Sequence, residues 1–406
     1  MNEMKNSGEK WIGDIPVDWN IQRLRFLCSI TTGNMDTQDN NPDGEYPFYV
    51  RSPIIEHSDN YTFDNEAVLM AGDGVGAGKV FHYVSGKYGC HQRVYSMSKF
   101  TNVTGKFLFY YLTENFYKKI EESNAKSTVD SVRLPMLKDF TVVFPDLDTQ
   151  LRITTFLDLK CTQIDNIISK QEQIIEKLKE YKLSVITEAV TKGLDPDVEM
   201  KDSGIDLCNS IPKHWKTMQN RYLFSLRDDK NYRPLEDVRL LSLYTDLGVF
   251  PHGEQEERGN KAVKAEGYKN VYEDDIVVNI ILAWMGAIGR SAYDGVTSPA
   301  YDIYKPNESA CSRYYHYLFR TKAFSNECYK YGRGIMAMRW RTYSSEFKSI
   351  RVPVPPYTEQ VEIADYLDKK SELIDKTIGD RMAAIEKLQS YKKSLIYEVV
   401  TGKKEV

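Results

Sequence analysis

Three short strings in this 406-residue chain have the residue types of catalysis, and each lacks a group its chemistry needs. Val354-Pro355-Pro356-Tyr357 ends like the Asn/Asp-Pro-Pro-Tyr motif of adenine methyltransferases. There the Asn or Asp side chain accepts a hydrogen bond from the amino group being methylated, which Val354 cannot do. Asp197, Glu199 and Lys201 mimic a Pro-Asp…Glu-x-Lys nuclease signature. Its metal ligands come from separated strands, and crowding both carboxylates into a Pro-bearing linker argues against a shared Mg²⁺. Gly72, Gly74, Gly76 and Gly78 before Lys79 resemble a phosphate loop. Asp73 stands where its first glycine is required, and Val80 rather than Ser or Thr follows the lysine. The six cysteines form no Cys-x-x-Cys pair, so neither a zinc site nor a disulfide framework is indicated. No catalysis and no cofactor are expected of this chain.

Composition is that of a soluble globular protein, with 41% hydrophobic and 28% charged residues. No apolar run suggests a membrane span, the polar start is unlike a signal peptide, and the cysteine usage points to a reducing cytoplasm. A net charge of −4 argues mildly against nucleic acid. The distribution argues the other way. Gly74 to Thr113 holds no acid but contains Lys79, Lys87, Arg93, Lys99 and Lys106. Between Glu308 and Glu346 the single acid is Glu327, against Arg313, Arg320, Lys322, Lys330, Arg333, Arg339 and Arg341. Acids gather instead at 254–257 and 273–275. Two basic faces on an acidic chain suit a DNA reader whose other surfaces meet proteins, or are chance unevenness.

The elements that must position these residues are written twice. Met4-Lys5-Asn6-Ser7-Gly8 returns as Met200-Lys201-Asp202-Ser203-Gly204, an offset of about 196. Ile15-Pro16 with Trp19 returns at the same offset as Ile211-Pro212 with Trp215. A second block, Pro145 to Thr191, returns as Pro355 to Thr401 at an offset of about 210, with roughly 20 of 47 positions identical. That block is helical. Leu157, Cys161, Ile164, Ile168, Ile175, Leu178, Val185 and Ala189 alternate in steps of four and three, as do Leu367, Ile374, Ile378, Ile385, Leu388, Leu395 and Val399. Both seams are interrupted at equivalent places, Gln171 with Arg381 and Lys182 with Lys392, which suggests register control. The alternative is two amphipathic helices packed on separate domains. The first helix stops at Lys192-Gly193.

Between the repeated blocks lie two divergent inserts, 20–144 and 216–351, of mixed α and β character. Strands are expected at Ala67 to Met70, Lys79 to Val84, Arg93 to Met97 and Phe140 to Phe144. In the second insert they fall at Leu240 to Tyr244, Ile276 to Leu282 and Ile350 to Val354. Each insert also holds an aromatic-rich helix, around Lys106 to Glu121 and Ser312 to Tyr331, whose rings read as core.

With this order on the page, the sequence resembles the specificity subunit of type I restriction-modification systems. The resemblance is carried by the paired Ile-Pro…Trp marks, by Pro145 to Gln150 and Pro355 to Gln360, and by the linker Lys192-Gly193-Leu194-Asp195-Pro196 to Ser203-Gly204. Trp284-x-Gly286-Ala287-x-Gly289 and Ser298-Pro299-Ala300-Tyr301 look like a familiar target-domain subtype. The loop Asp73 to Gly78 departs from the family, being less basic than in many relatives. The resemblance implies an α+β fold with a pseudo-twofold internal repeat, in which two mixed α/β target-recognition domains are separated by two long helices forming an antiparallel coiled coil. Its modules would be 1–144 (first recognition domain), 145–193 (first helix), 194–351 (linker and second domain) and 352–406 (second helix). It also implies partners: double-stranded DNA, two modification subunits that carry S-adenosylmethionine and methylate adenine, and restriction subunits using ATP and Mg²⁺. Lys79, Arg93, Arg290, Arg333, Arg339 and Arg341 are the expected phosphate or guanine contacts. The competing functions are a stand-alone methyltransferase or nuclease, and a coiled-coil scaffold with no DNA role.

Overall fold

The offset of the first repeated block is also an offset of strand register. Met4–Asn6 pairs antiparallel with Asp14–Pro16, Met4 opposite Pro16, and Met200–Ile205 pairs with Cys208–Pro212, Met200 opposite Pro212. Both ribbons close alike, Lys5 Nζ donating to the Trp19 carbonyl and Lys201 Nζ to that of Trp215, each at 2.6 Å. The structure, a computed structural model, describes residues 3–123, 131–245, 248–253, 265–334 and 340–406. It divides into two units, Met1–Glu172 with Met382–Val406, and Gln173–Arg381.

In the first unit a six-stranded sheet runs in the order Ser29–Thr32, Val94–Ser98, Phe63–Ala71, Phe81–Cys90, Tyr46–Tyr49, Glu56–Ser58. The second unit has a four-stranded sheet ordered Phe224–Arg227, Tyr301–Pro306, Ile276–Asn279, Ile288–Arg290. Taken in chain order, these four strands connect as the first four of the larger sheet do. The inserts are thus one topology filled with two largely divergent sets of side chains. Against each sheet lies the aromatic helix. Phe107, Tyr111 and Phe116 of Gly105–Ser123 are fully buried, as are Tyr314, Tyr315 and Phe319 in the second unit, so these rings are core. The second aromatic element is two helices, Ser312–Phe319 and Lys322–Tyr331, where one was expected. Thr321 accepts a hydrogen bond from the Phe324 N–H and so caps a fresh start. Likewise Ile276 to Leu282 is strand only to Asn279, because 280–287 turns back.

The repeated helices are Leu147–Lys192 and Tyr357–Val400. In the first unit Leu157, Cys161 and Ile164 share a core with Leu395, Ile396 and Val399, and Asp165 meets Lys392 at 2.6 Å. Thr149 and Arg152 border residues 402–406, so the paired segments are antiparallel. In the second unit Ala189 and Val190 share a core with Ile363, Ala364 and Leu367, and Lys182 meets Asp375 at 2.6 Å. The two lysines that interrupt the seams are therefore halves of two ion pairs, each the 210-residue equivalent of the other. Each helix ends on a left-handed glycine, Gly193 at φ +80° and Gly402 at +71°. A Cβ on Gly402 would come within 2.4 Å of Pro16, and one on Gly193 within 3.3 Å of the Trp215 ring. This contact explains the Ile-Pro…Trp marks, which seat the end of a long helix in each unit.

Gln150 and Gln360 explain the Pro-x₄-Gln leads. Gln150 accepts from the Thr104 N–H and donates to the Asn102 and Pro145 carbonyls, all at 2.9 Å. Gln360 accepts from the Cys311 N–H (2.8 Å) and donates to the Ser309 and Pro355 carbonyls (3.0 and 2.9 Å). Both amides are completely buried. Each joins the start of an aromatic helix to the start of a long one.

Candidate nucleic-acid interface

In both units the sheet puts a hairpin loop beside the segment that follows the aromatic helix. The first hairpin loop, 72–80, joins Phe63–Ala71 to Phe81–Cys90, and the Gly72 carbonyl accepts from the Val132 N–H at 2.7 Å. The second, 280–287, joins Ile276–Asn279 to Ile288–Arg290, and the Ile280 carbonyl accepts from the Thr342 N–H at 2.8 Å. Val132 and Thr342 are 210-residue equivalents, so the junction is one feature built twice.

The glycines of the first loop shape its backbone; they are not a phosphate cradle. A Cβ on Gly76 would lie 2.5 Å from the Arg51 carbonyl, and one on Gly72 2.9 Å from that of Arg93. The path of the loop is thereby fixed, with Val75 at its apex 99% exposed. Asp73 carries the charge organisation: its carboxylate lies 3.2 Å from Arg51 Nη1 and 3.6 Å from Arg93 Nε. One carboxylate cannot neutralise two guanidiniums, and both arginines keep exposed heads. The Arg93 N–H donates to His91 Nδ1 at 2.9 Å, which places the ring proton on Nε2, facing Asp36 at 3.4 Å. Asp36 is held below the usual carboxylate range by the Thr37 N–H, with His91 contributing. Lys79 places its ammonium 4.3 Å over the Tyr117 ring.

The second loop is built on aromatic contacts. Its short turn Ala283–Met285 ends at Gly286, φ +89°, with Met285 at the exposed apex. The Trp284 ring lies 5.9 Å from Tyr329, which stacks on Trp340 at 4.8 Å and 21°. Beyond that stack Arg333 and Arg341 exchange backbone hydrogen bonds at 2.9 Å, bringing two expected contacts together. Arg333 is 78% exposed on its side chain and reaches Glu346 at 2.8 Å. Arg339 lies outside the described residues, as does the acidic stretch 254–257.

Arg290 is placed differently from the other candidates. It is only 20% exposed and is held by Asp274 at 2.6 Å and Glu273 at 3.4 Å. Its own N–H donates to His316 Nδ1 at 3.1 Å. Parts of the two basic stretches are consumed in the same way, which corrects the reading of them as whole basic faces. Lys106 pairs with Asp158 at 2.6 Å while Tyr110 donates to the same carboxylate. Arg313 and Tyr317 repeat that arrangement on Asp368, the 210-residue equivalent of Asp158. Lys330 pairs with Asp206. These cations fasten aromatic helices and loops to the frame. Sequence reading missed Arg51, which stands apart from any basic run; the lone acid Asp73 in a glycine loop was its one signal.

Burial pushes the Cys28 and Cys90 thiols up to about 12, far from nucleophilic. Among the described residues no group of His, Cys, Asp or Glu could hold a metal ion, and no helix is long and apolar enough to cross a membrane.

The duplicated frame presents two loop clusters of different chemistry, one in each unit. The chain belongs to the type I restriction modification DNA specificity domain family, whose model matches it twice, over residues 16–180 and 212–387. The matched model is a specificity domain, not a methyltransferase or nuclease domain. The chain is 25% identical over 402 residues to the EcoDI type I restriction enzyme specificity subunit of Escherichia coli, covering 93% of this chain and 87% of that protein. It is 24% identical to the MjaVIII specificity subunit of Methanocaldococcus jannaschii, covering 96% and 93%. Its fold is similar to a chain solved in work on complex assembly and conformational transition of the type I restriction-modification system (TM-score 0.69, 12% identity, 96% and 99% covered). It is also similar to an HsdS subunit from Thermoanaerobacter tengcongensis (TM-score 0.52, 13% identity, 96% and 98% covered).

Proposed function

We propose that this chain reads a bipartite double-stranded DNA target, one half-site per unit, and carries two modification subunits that methylate adenine from S-adenosylmethionine. Restriction subunits supply ATP- and Mg²⁺-dependent cleavage where they join, and the assembly works in the cytoplasm. The observation that carries the reading is the doubled junction, Gly72 with Val132 and Ile280 with Thr342. One backbone device holds Arg51, Asp73 and Arg93 in one unit and an aromatic stack with Arg333 and Arg341 in the other. Equal scaffolds with unequal side chains are what reading two different half-sites requires, since base edges differ in their donors, acceptors and methyl groups. Lys79, Arg93, Arg333, Arg339 and Arg341 are retained as DNA contacts and Arg51 is added. Arg290, already paired with two acids, ranks last.

The sequence modules we propose are 1–144, 145–193, 194–351 and 352–406. Replacing 20–144 with the insert of another family member, with methylated sites mapped in a host that also makes the modification subunit, tests the assignment. One half-site changes and the other persists. A swap that alters both halves, or neither, refutes independent reading.

A further inference from the structure

The duplication separates two kinds of surface. A residue that reads a half-site must differ between the units, whereas a residue that meets a partner bound twice must be kept in both. Phe26 and Tyr222 are kept. They share the offset of 196, are 66% and 60% exposed, and each closes a three-residue 3-10 turn, Leu24–Phe26 and Asn220–Tyr222. The backbone dictates their exposure. The Leu24 N–H donates to the Phe140 carbonyl and the Asn220 N–H to that of Ile350, both at 2.9 Å, and both side chains are completely buried. The residue two places later must then face water. A polar residue there would cost nothing, yet both copies hold an aromatic ring preceded by an arginine. Arg25 pairs with Asp139, and Arg221 donates to Ser349 Oγ at 2.9 Å; Asp139 and Ser349 are themselves 210-residue equivalents.

In the first unit the Phe26 ring and the exposed Ile21 line an open groove of about 690 Å³ whose far wall is the Ser7-Gly8 turn. The second unit rebuilds that turn. The Gly8 N–H donates to Asn6 Oδ1 and the Gly204 N–H to Asp202 Oδ1, each at 2.8 Å, with φ +80° and +65°. DNA is a poor occupant. A ring adds nothing to a phosphate contact, a base contact would differ between half-sites, and the neighbouring Arg25 is already neutralised.

We infer that Phe26 and Tyr222 are the anchors of two equivalent docking surfaces, each seating one copy of the modification subunit in an apolar socket that receives the ring. Exposed aromatics that enter a partner's pocket dominate binding in this way, and truncating one weakens its site by about 30-fold or more. The inference rests on the function proposed above, in which two modification subunits bind one chain.

The test mixes full-length chain with purified modification subunit and reads stoichiometry by native mass spectrometry and light scattering. Wild type binds two copies, Phe26→Ala and Tyr222→Ala bind one each, and the double variant binds none. Phe26→Tyr and Tyr222→Phe keep two, because each is the residue of the other repeat. Affinity of the chain alone for its DNA target stays unchanged in every variant. Two copies retained by the double alanine variant overturn the inference, as does lost DNA affinity with stoichiometry intact. If wild type itself binds no modification subunit, the proposed function fails first, and that result is distinct.

Discussion

Replacing Gln150 with leucine keeps most of the side-chain volume and removes the amide that joins two helix starts. Three backbone groups then lose their partners: the Thr104 N–H and the Asn102 and Pro145 carbonyls, now at 2.9 Å. The amide is fully buried, so water does not replace it without opening the site. A buried polar group left unpaired costs about 1–3 kcal/mol. Two of the three are carbonyls, which tolerate the loss better, and the sum is about 3–5 kcal/mol. Against a domain stability of about 5–15 kcal/mol, the first unit becomes marginal at 37 °C. The damage starts at the aromatic helix, because Thr104 also accepts from the Phe107 N–H at its first turn (3.2 Å). Gln360→Leu does the same to Cys311, Ser309 and Pro355 in the second unit. Hydrogen exchange on the intact chain reads both. In Gln150→Leu, protection falls across 102–116 and is unchanged across 309–319; in Gln360→Leu the pattern reverses, with a loss of similar size. In cells each variant loses recognition of a single half-site. Equal loosening of both units in either variant, or a loss under about 1 kcal/mol, would refute the argument that each glutamine locks its own unit.

Arg51→Ala and Arg93→Ala should each weaken DNA binding by about 1–3 kcal/mol, and together by less than the sum, because both are oriented by Asp73. Titration of labelled target DNA measures this, and wild-type affinity in Arg51→Ala would remove that residue from the interface. Arg290→Ala should leave DNA affinity within about twofold and destabilise the second unit by no more than about 1 kcal/mol, since Asp274 is half exposed and keeps the Ser312 hydroxyl; Arg341→Ala should weaken DNA binding by about 1–3 kcal/mol. Lastly, burial, then the Arg320 and Arg290 cations, hold His316 down at about 3. An unfolded histidine takes up its proton near 6.5, so the stabilising contribution is full above that pH and is lost progressively as pH falls from 6.5 toward 3. Between pH 7 and pH 5 the second unit should lose at most about 2 kcal/mol in urea titrations, and His316→Asn should remove that slope.

The repeated frame was legible in the sequence because the same constraints act there twice. Gln150 and Gln360, the tryptophans at 19 and 215, and the helix-ending glycines each make one geometric contact in two places, so their spacing survived where other residues drifted. The insert topology was hidden for the opposite reason. The order of four strands is common to both units, yet their side chains repeat only faintly, and backbone pairing reveals it. Charge density misled where partners lie far away in sequence. Lys106 and Arg313 stand in stretches poor in acids, yet their acids, Asp158 and Asp368, come from the long helices. Arg51 was invisible as an isolated arginine until the fold carried it to Asp73.

The two kinds of legibility reflect a division that physical constraints impose on a changeable reader. In the first hairpin the backbone path is forced by glycines at 72 and 76, where a Cβ would collide with the main chain at Arg93 and Arg51. Val75 on that path, and Arg51 and Arg93 beside it, are exposed and form no part of the core. They can be exchanged at little cost in stability, since surface substitutions away from caps and cores usually stay within about 0.5 kcal/mol. The second hairpin is braced by another route, Trp284 against Tyr329, which in turn stacks on Trp340, and so displays a different set of groups at the same junction. Specificity can therefore change without disturbing the buried glutamines, the lysine–aspartate pairs or the strand order. On the function proposed above, a chain that keeps meeting the same protein partners while changing the DNA it reads needs that separation.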